Sequence, residues 1–302
     1  MDNLKKVELF EVGPRDGFQN QKVYIPAENK MRIIDEIAAA GVKNIQVTSF
    51  VSPKAIPQMI DSAQVAEYCV EKYPELGIYA LAPNLRGAQN AWNAGIRHIF
   101  YVVSLSKTHN KANINRTHEQ SMDEFLKIRD NLPELKITLD LATAFGCPFE
   151  GKPSTQALVD FVGTYVEAGL TELDLCDTVG LANPAQVREV IAAVRGAFPE
   201  LGLQVHIHDT RNMGVVNTLA AIECGVTRFQ STLGGLGGCP FAPGASGNLA
   251  TEDMVYMLND MGYDTGVDTQ AIIAAAKLEK ELLGDGNFSG HNMNISAPGC
   301  CL

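Results

Sequence analysis

Two histidines separated by one residue, His206-Ile207-His208, carry the sharpest chemical signal in the sequence. In an extended strand, residues two apart point to the same face, about 6–7 Å apart along the chain. Both imidazoles can then converge on one ion while Ile207 points the other way. Two histidines each satisfied by a core partner is the weaker reading, because two of only six histidines in the chain stand at this spacing. A second polar group, Gly13-Pro14-Arg15-Asp16-Gly17, follows an apolar run near the start. Its arginine offers a planar fork for an anion and its aspartate a hard oxygen ligand; the other reading is a salt-bridged turn. Asp16, His206 and His208 together form a nitrogen–oxygen donor set without thiolate. Such a set suits Mg²⁺ or Mn²⁺, with Zn²⁺ or Co²⁺ also compatible, and leaves positions for substrate oxygens. Asp209, next in line, either orients a ligand or caps a helix, and the cap is the preferred reading.

A third signal is glycine. Six glycines fall between residues 234 and 247, around Cys239-Pro240-Phe241. That density suits a loop that closes over a substrate. A free cysteine in such a loop has no core to pack, so Cys239 reads as a reactive thiol rather than a spectator. Asp177, in Leu175-Cys176-Asp177-Thr178-Val179-Gly180, either orients groups at a site or caps the next turn. Cys147, in Phe145-Gly146-Cys147-Pro148, reads as structural.

These residues need elements that bring them together. Eight short apolar runs have strand character, at 7–12, 44–48, 77–81, 98–103, 136–141, 172–175, 203–207 and 228–231. Helical spacing appears between them, at 28–39, 122–132, 156–168, 184–194 and 213–224. Pro184 suits a first helical turn, where its missing N–H costs nothing. Gly41, Gly95, Gly169 and Gly225 each precede a strand and read as helix C-caps. Alternating strands and helices imply parallel pairing, and eight units favour a closed (β/α)₈ TIM barrel over an open sheet. No Gly-x-Gly-x-x-Gly follows the first strand, which argues against a dinucleotide fold. Barrel enzymes work at the C-terminal ends of their strands, where the polar groups above fall. The expectation is one catalytic domain over residues 1–302, in which 249–302 forms extra helices at 252–261 and 268–283 and a tail, all packed on the barrel.

Composition narrows the function. Apolar residues make up 46% and charged residues 20%, as in an ordinary globular chain. A net charge of −11 argues against nucleic-acid binding, which needs a basic face. An acidic protein that handles anions must concentrate positive charge locally, on a metal or a few arginines. No apolar stretch is long enough to span a membrane, and no secretory signal is expected. Seven scattered cysteines, an odd number without a C-x-x-C pair, suit a reduced cytoplasmic setting.

From about residue 7 to 267 the chain resembles the 3-hydroxy-3-methylglutaryl-CoA lyases, among the metal-dependent aldolase and synthase barrels with an Arg-Asp-Gly first strand. The resemblance rests on Gly13–Asn20, Thr48-Ser49-Phe50-Val51-Ser52-Pro53-Lys54, Gly146-Cys147-Pro148-Phe149-Glu150-Gly151, Asp177-Thr178-Val179-Gly180 and His206-Ile207-His208-Asp209-Thr210. Its most specific part is Gly237-Gly238-Cys239-Pro240-Phe241 with Gly244–Asp253. It implies that Asp16, His206, His208 and Asn248 bind a divalent cation, that Arg15 stabilises an enolate and that Cys239 assists proton transfer. Gln19 and Ser106 would lie near the substrate, with Gln46, Asp140 and Asp177 also at the substrate site. It further implies an acyl-CoA substrate and a homo-oligomer, a dimer. Three positions depart from the family pattern. Gln46 stands where the lyases carry Glu, Asp140 where they carry Tyr, and Lys277 and Lys280 are the only lysines or arginines from Leu249 onward, where they carry an Asn-Arg-Lys run.

The expected activity is carbon–carbon cleavage of a 3-hydroxy-3-carboxyalkyl acyl-CoA, with hydroxymethylglutaryl-CoA, giving acetoacetate and acetyl-CoA, as the first candidate. The rivals are a lyase for an alkylmalyl-CoA type thioester, a condensing synthase of citramalate or isopropylmalate type, and a barrel that binds metal and acyl-CoA without turnover.

Overall fold

The structure is a computed structural model that describes residues 5–238, 247–284 and 286–295. Cys239 lies outside the described residues. The eight strands are β1 (Glu8–Glu11), β2 (Asn44–Ser49), β3 (Gly77–Leu81), β4 (His98–Ser104), β5 (Lys136–Ala142), β6 (Glu172–Asp177), β7 (Gly202–Ile207) and β8 (Arg228–Ser231). All pair in parallel, in sequence order, and β8 closes on β1. The helices are α1 (Ala27–Ala39), α2 (Ser62–Lys72), α3 (Leu85–Asn93), α4 (Lys107–Ile114), α5 (His118–Asn131), α6 (Thr155–Glu167), α7 (Pro184–Ala197), α8 (Gly214–Glu223), α9 (Thr251–Asp260) and α10 (Thr269–Leu283). No helix among the described residues is long and apolar enough to cross a membrane.

The strands are buried on both sides, and their alternation sorts two cores. Leu139, Leu141, Leu173, Leu175, Val205 and Ile207 join the apolar cluster shared with the surrounding helices. Their neighbours of opposite parity, among them Asp140, Asp174, Gln204, His206 and Gln230, fill the inside of the barrel and are also buried. The lower end of that interior is aromatic, with Phe10, Tyr79, His98 and Phe100 in mutual ring contact.

Local chemistry explains most boundaries. Gly41, Gly95, Gly169 and Gly225 all have positive φ, which lets the chain leave one helix and turn into the next strand. Pro184 opens α7 behind an Asn183 cap. Helix α5 starts at His118, four residues ahead of the apolar spacing, because Thr117 and Gln120 form a capping box that extends it. The five helices read from spacing are joined by α2, α3 and α4. Helix α3 carries Gly87 inside it, and α4 (KTHNKANI) has almost no apolar stripe, so spacing alone is silent there. Helices α9 and α10 pack on each other, and α10 also lies against α1 and the short turn Leu233–Gly235.

Three glutamates are buried where β1, α9 and α10 meet that turn. Glu11 accepts from the amides of Gly13 (2.7 Å) and Leu233 (2.9 Å), and Glu252 accepts from Gly234 N (3.0 Å). Neither carboxylate oxygen of Glu279 has a hydrogen-bond partner among the described residues. Burial pushes Glu11 up to about 7 and Glu252 up to about 8. Burial, added to by the charges of Glu11 and Glu252, holds Glu279 well above the carboxylate range. The folded protein therefore keeps a proton on Glu279 that the unfolded chain releases at the ordinary glutamate value of about 4.3. Stability from this group is present at low pH and is lost as pH rises. Glu279→Gln should raise the melting temperature more at pH 8.5 than at pH 5.5; an equal change at both pH values would contradict this assignment.

Candidate active site

Arg15 and Asp16 lie in one wide, π-type helical turn, Gly13–Gly17, that follows the C-terminal end of β1. The Val12 carbonyl accepts from both of their amides, at 3.1 and 2.7 Å. Both side chains are buried and joined by a salt bridge from Arg15 Nη1 to Asp16 Oδ1 at 2.6 Å. Asp16 Oδ1 also accepts from Gln19 Nε2 (2.9 Å), and Oδ2 from Asn248 Nδ2 (2.8 Å). Burial opposes its ionisation, but the Arg15 guanidinium, the two imidazoles and Asn248 together hold Asp16 below the usual range.

His206 is the last inward-facing residue of β7, and His208, one residue past the strand, pairs with Asn248 in an antiparallel bridge. Donor atoms of Asp16, His206 and His208 all lie within 4.8 Å of one another. Burial lowers both histidines, His208 to about 3, so each ring is neutral and keeps a lone pair. His208 Nδ1 and Asn248 Oδ1 are buried without hydrogen-bond partners among the described residues. One anionic oxygen, two neutral imidazoles and two unsatisfied atoms form a donor set that fits a divalent cation. His206 Nδ1–H donates to Gln230 Oε1 at 2.8 Å, which fixes the tautomer and turns Nε2 free. The close approach has a backbone condition: a Cβ on Gly237 would stand 2.4 Å from Asn248 Nδ2.

These groups open on a cavity of about 220 Å³, lined by Arg15, Asp16, Gln19, Asp140, Cys176, His206 and His208, with Val51, Ile56, Leu81 and Val102 as apolar walls. Asp140 is pushed up to about 7 by burial, against the pull of Arg15. Asp174 beside it lies well above the usual range, first from burial and then from Asp140.

Other candidate residues have structural partners. Gln46 Oε1 accepts from Arg15 Nε, so this side chain sets the direction of the guanidinium. Ser106 caps α4, its Oγ accepting from His109 N at 3.0 Å. The Asp177 carboxylate accepts from Leu181 N (2.8 Å) and Ala182 N (3.2 Å) and holds the turn after β6. Asp209 accepts from Gly214 N, the first amide of α8, at 2.6 Å. The Cys147 thiol accepts from the amides of Phe149 (3.3 Å) and Glu150 (3.4 Å) inside a small turn. Lys277 and Lys280 are tied to the C-terminal segment, at Ile295 O (3.2 Å) and Asn294 Oδ1 (3.3 Å). Sequence reasoning passed over Gln230 and Asp174. Gln230 pairs in register with His206, and Asp174 with Asp140, so the parity of polar residues across neighbouring strands was the signal available.

The comparisons with known proteins agree with this geometry. The HMGL-like family model matches residues 6–278. The chain belongs to the HMGL-like family. It is 40% identical over 282 residues to hydroxymethylglutaryl-CoA lyase YngG of Bacillus subtilis, covering 93% of this chain and 94% of that one. It is 37% identical over 292 residues to (R)-citramalyl-CoA lyase of Chloroflexus aurantiacus, covering 93% and 92%. The structure of an Acinetobacter baumannii HMG-CoA lyase in complex with coenzyme A and 3-methylmalate superposes with a TM-score of 0.89 at 39% identity, covering 97% of this chain and 98% of that one. This HMGL-like protein is a carbon–carbon lyase.

Gln230 gives a direct test of the donor set. Gln230→Leu removes the acceptor on His206 Nδ1 and should weaken Mn²⁺ binding roughly tenfold or more in a titration. Unchanged affinity would show that His206 is oriented by other means.

Proposed function

We propose that the protein splits a 3-hydroxy-3-carboxyalkyl acyl-CoA into a keto acid and a shorter acyl-CoA, with hydroxymethylglutaryl-CoA as the first substrate to assay. The observation that carries this is the convergence of Asp16, His206 and His208 on one cavity that Arg15 also lines. Asp16, His206 and His208, with Asn248, would hold Mg²⁺ or Mn²⁺. A bound cation supplies the polarisation that makes a substrate hydroxyl acidic near neutral pH.

The remaining chemistry falls to the chain. The C3 hydroxyl loses its proton, the C2–C3 bond breaks, and its electron pair moves to the thioester half as an enolate. A proton then returns to C2, so hydroxymethylglutaryl-CoA gives acetoacetate and acetyl-CoA with no other reactant. Arg15, pinned by Gln46 and Asp16, presents a fixed guanidinium to the enolate charge in a site shielded from water. Gln19, bonded to Asp16, faces the same cavity. Cys239 is the candidate for proton transfer on the resemblance alone. The A. baumannii enzyme's complex with coenzyme A supports a thioester substrate.

The test is a panel of hydroxyacyl-CoA thioesters incubated with Mg²⁺ or Mn²⁺, with products read by mass spectrometry. Cleavage should stop on chelation and return when metal is restored; full activity in the stripped enzyme would overturn the metal assignment. Arg15→Lys keeps the charge but loses the fork, and should lower kcat on the order of 10²–10³-fold while metal still binds. A Lys variant with near wild-type turnover would reduce Arg15 to a structural partner of Asp16.

A further inference from the structure

The floor of the cavity is polar, where a barrel interior is ordinarily filled by branched apolar side chains. Asp140 on β5, Asp174 on β6 and Gln204 on β7 stand side by side in register. Cys176 and His206 form the rung above them, one inward repeat or about 6–7 Å nearer the mouth. Asp140, Asp174 and Gln204 are 4%, 0% and 1% exposed. One carboxylate oxygen of each aspartate and both amide atoms of Gln204 lack a hydrogen-bond partner among the described residues. The Cys176 thiol donates to Asp174 Oδ2 at 3.3 Å, and one atom of each of Asp140, Asp174 and Cys176 lies within 4.8 Å of the others. Asp140 and Cys176 face the same cavity as Arg15, His206 and His208.

Buried polar atoms left without partners are destabilising unless a ligand or water completes them. Of the three, Asp140 lines the cavity, so its carboxyl group is the one a substrate branch meets. Arg15 is the one formal cation lining it among the described residues, and its Nε and Nη1 are already committed to Gln46 and Asp16. A methyl group set against Asp140 offers it no hydrogen bond, whereas a hydroxyl or an ammonium group donates to it.

Resting on the lyase reading above, we infer that the floor selects an acyl-CoA whose branch at the tertiary carbon ends in a hydrogen-bond donor, a hydroxyl or an ammonium group, in place of the methyl of hydroxymethylglutaryl-CoA. Asp140 is the specificity residue that meets the branch, and Asp174 and Gln204 support it from the next strands.

The experiment compares kcat/KM of the metal-loaded enzyme on hydroxymethylglutaryl-CoA and on two analogues whose methyl is replaced by hydroxymethyl or aminomethyl. At least one analogue should be favoured by about tenfold or more. The faster of the two tells whether the recognised donor is neutral or cationic. Asp140→Asn and, as a second variant in case the first misfolds, Asp174→Asn should each shrink the preference. Hydroxymethylglutaryl-CoA cleaved as fast as both analogues, as when water fills the floor, overturns this inference alone. A preference untouched in both variants does the same. Cleavage of no thioester at all overturns the lyase reading, and this inference falls with it.

Discussion

The buried ion pair of Arg15 and Asp16 is the interaction around which the mouth of the barrel is organised. Two charges taken out of water are tolerated only where their remaining hydrogen-bonding capacity is met. Here Gln46 reaches from β2 to Arg15, while Gln19 and Asn248 close on Asp16. Asn248 in turn bridges to His208, so one carboxylate ties the end of β1 to the segment before α9 and to the end of β7. Gly237 has no side chain because the Asn248 amide occupies the place of its Cβ. Removing Arg15 or Asp16 would leave a buried charge unpaired, and removing Gln46, Gln19 or Asn248 would take a hydrogen bond from the pair. The donor atoms are therefore set in place before an ion arrives, which is the preorganisation that electrostatic catalysis requires.

The same site shows how far sequence reasoning reaches. The eight strands were legible because each is a short apolar run between turn residues, and the pairing direction followed from the helices between them. His206 and His208 were legible because a period of two places both rings on one face of a strand, and histidine is scarce in this chain. Gln46 was found by its departure from a family pattern, but what it touches is Arg15, a relation that depends on how β2 lies beside the turn after β1. Gln230 and Asp174 escaped because a polar residue in the middle of a strand looks the same from sequence whether it is satisfied in the core or supports a ligand; only registration with His206 and Asp140 distinguishes them. Helix α4 escaped because its cap, Ser106, is a stronger signal than its apolar content.

Acidic groups recur inside this protein beyond what packing asks. Glu11, Glu252 and Glu279 sit beneath the Leu233–Gly235 turn, and Asp140 and Asp174 lie under the candidate metal donors. Glu11 and Glu252 tie β1 and α9 to the Leu233–Gly235 turn through backbone amides, so that turn is fixed at its base. In the second group each aspartate has one oxygen without a partner among the described residues, and Asp140 faces the cavity. One set thus contributes to holding the frame, and the other remains open to a ligand.

Two clusters could take the cation: Asp16, His206 and His208, to which the lyase reading assigns it, and Asp140, Asp174 and Cys176, whose donor atoms also lie within 4.8 Å of one another. Anomalous diffraction from crystals grown with Mn²⁺ separates the two directly. The expected result is a single strong peak bonded to Asp16, His206 and His208. A peak at Asp140, Asp174 and Cys176, or none at the barrel mouth under saturating Mn²⁺, would contradict it.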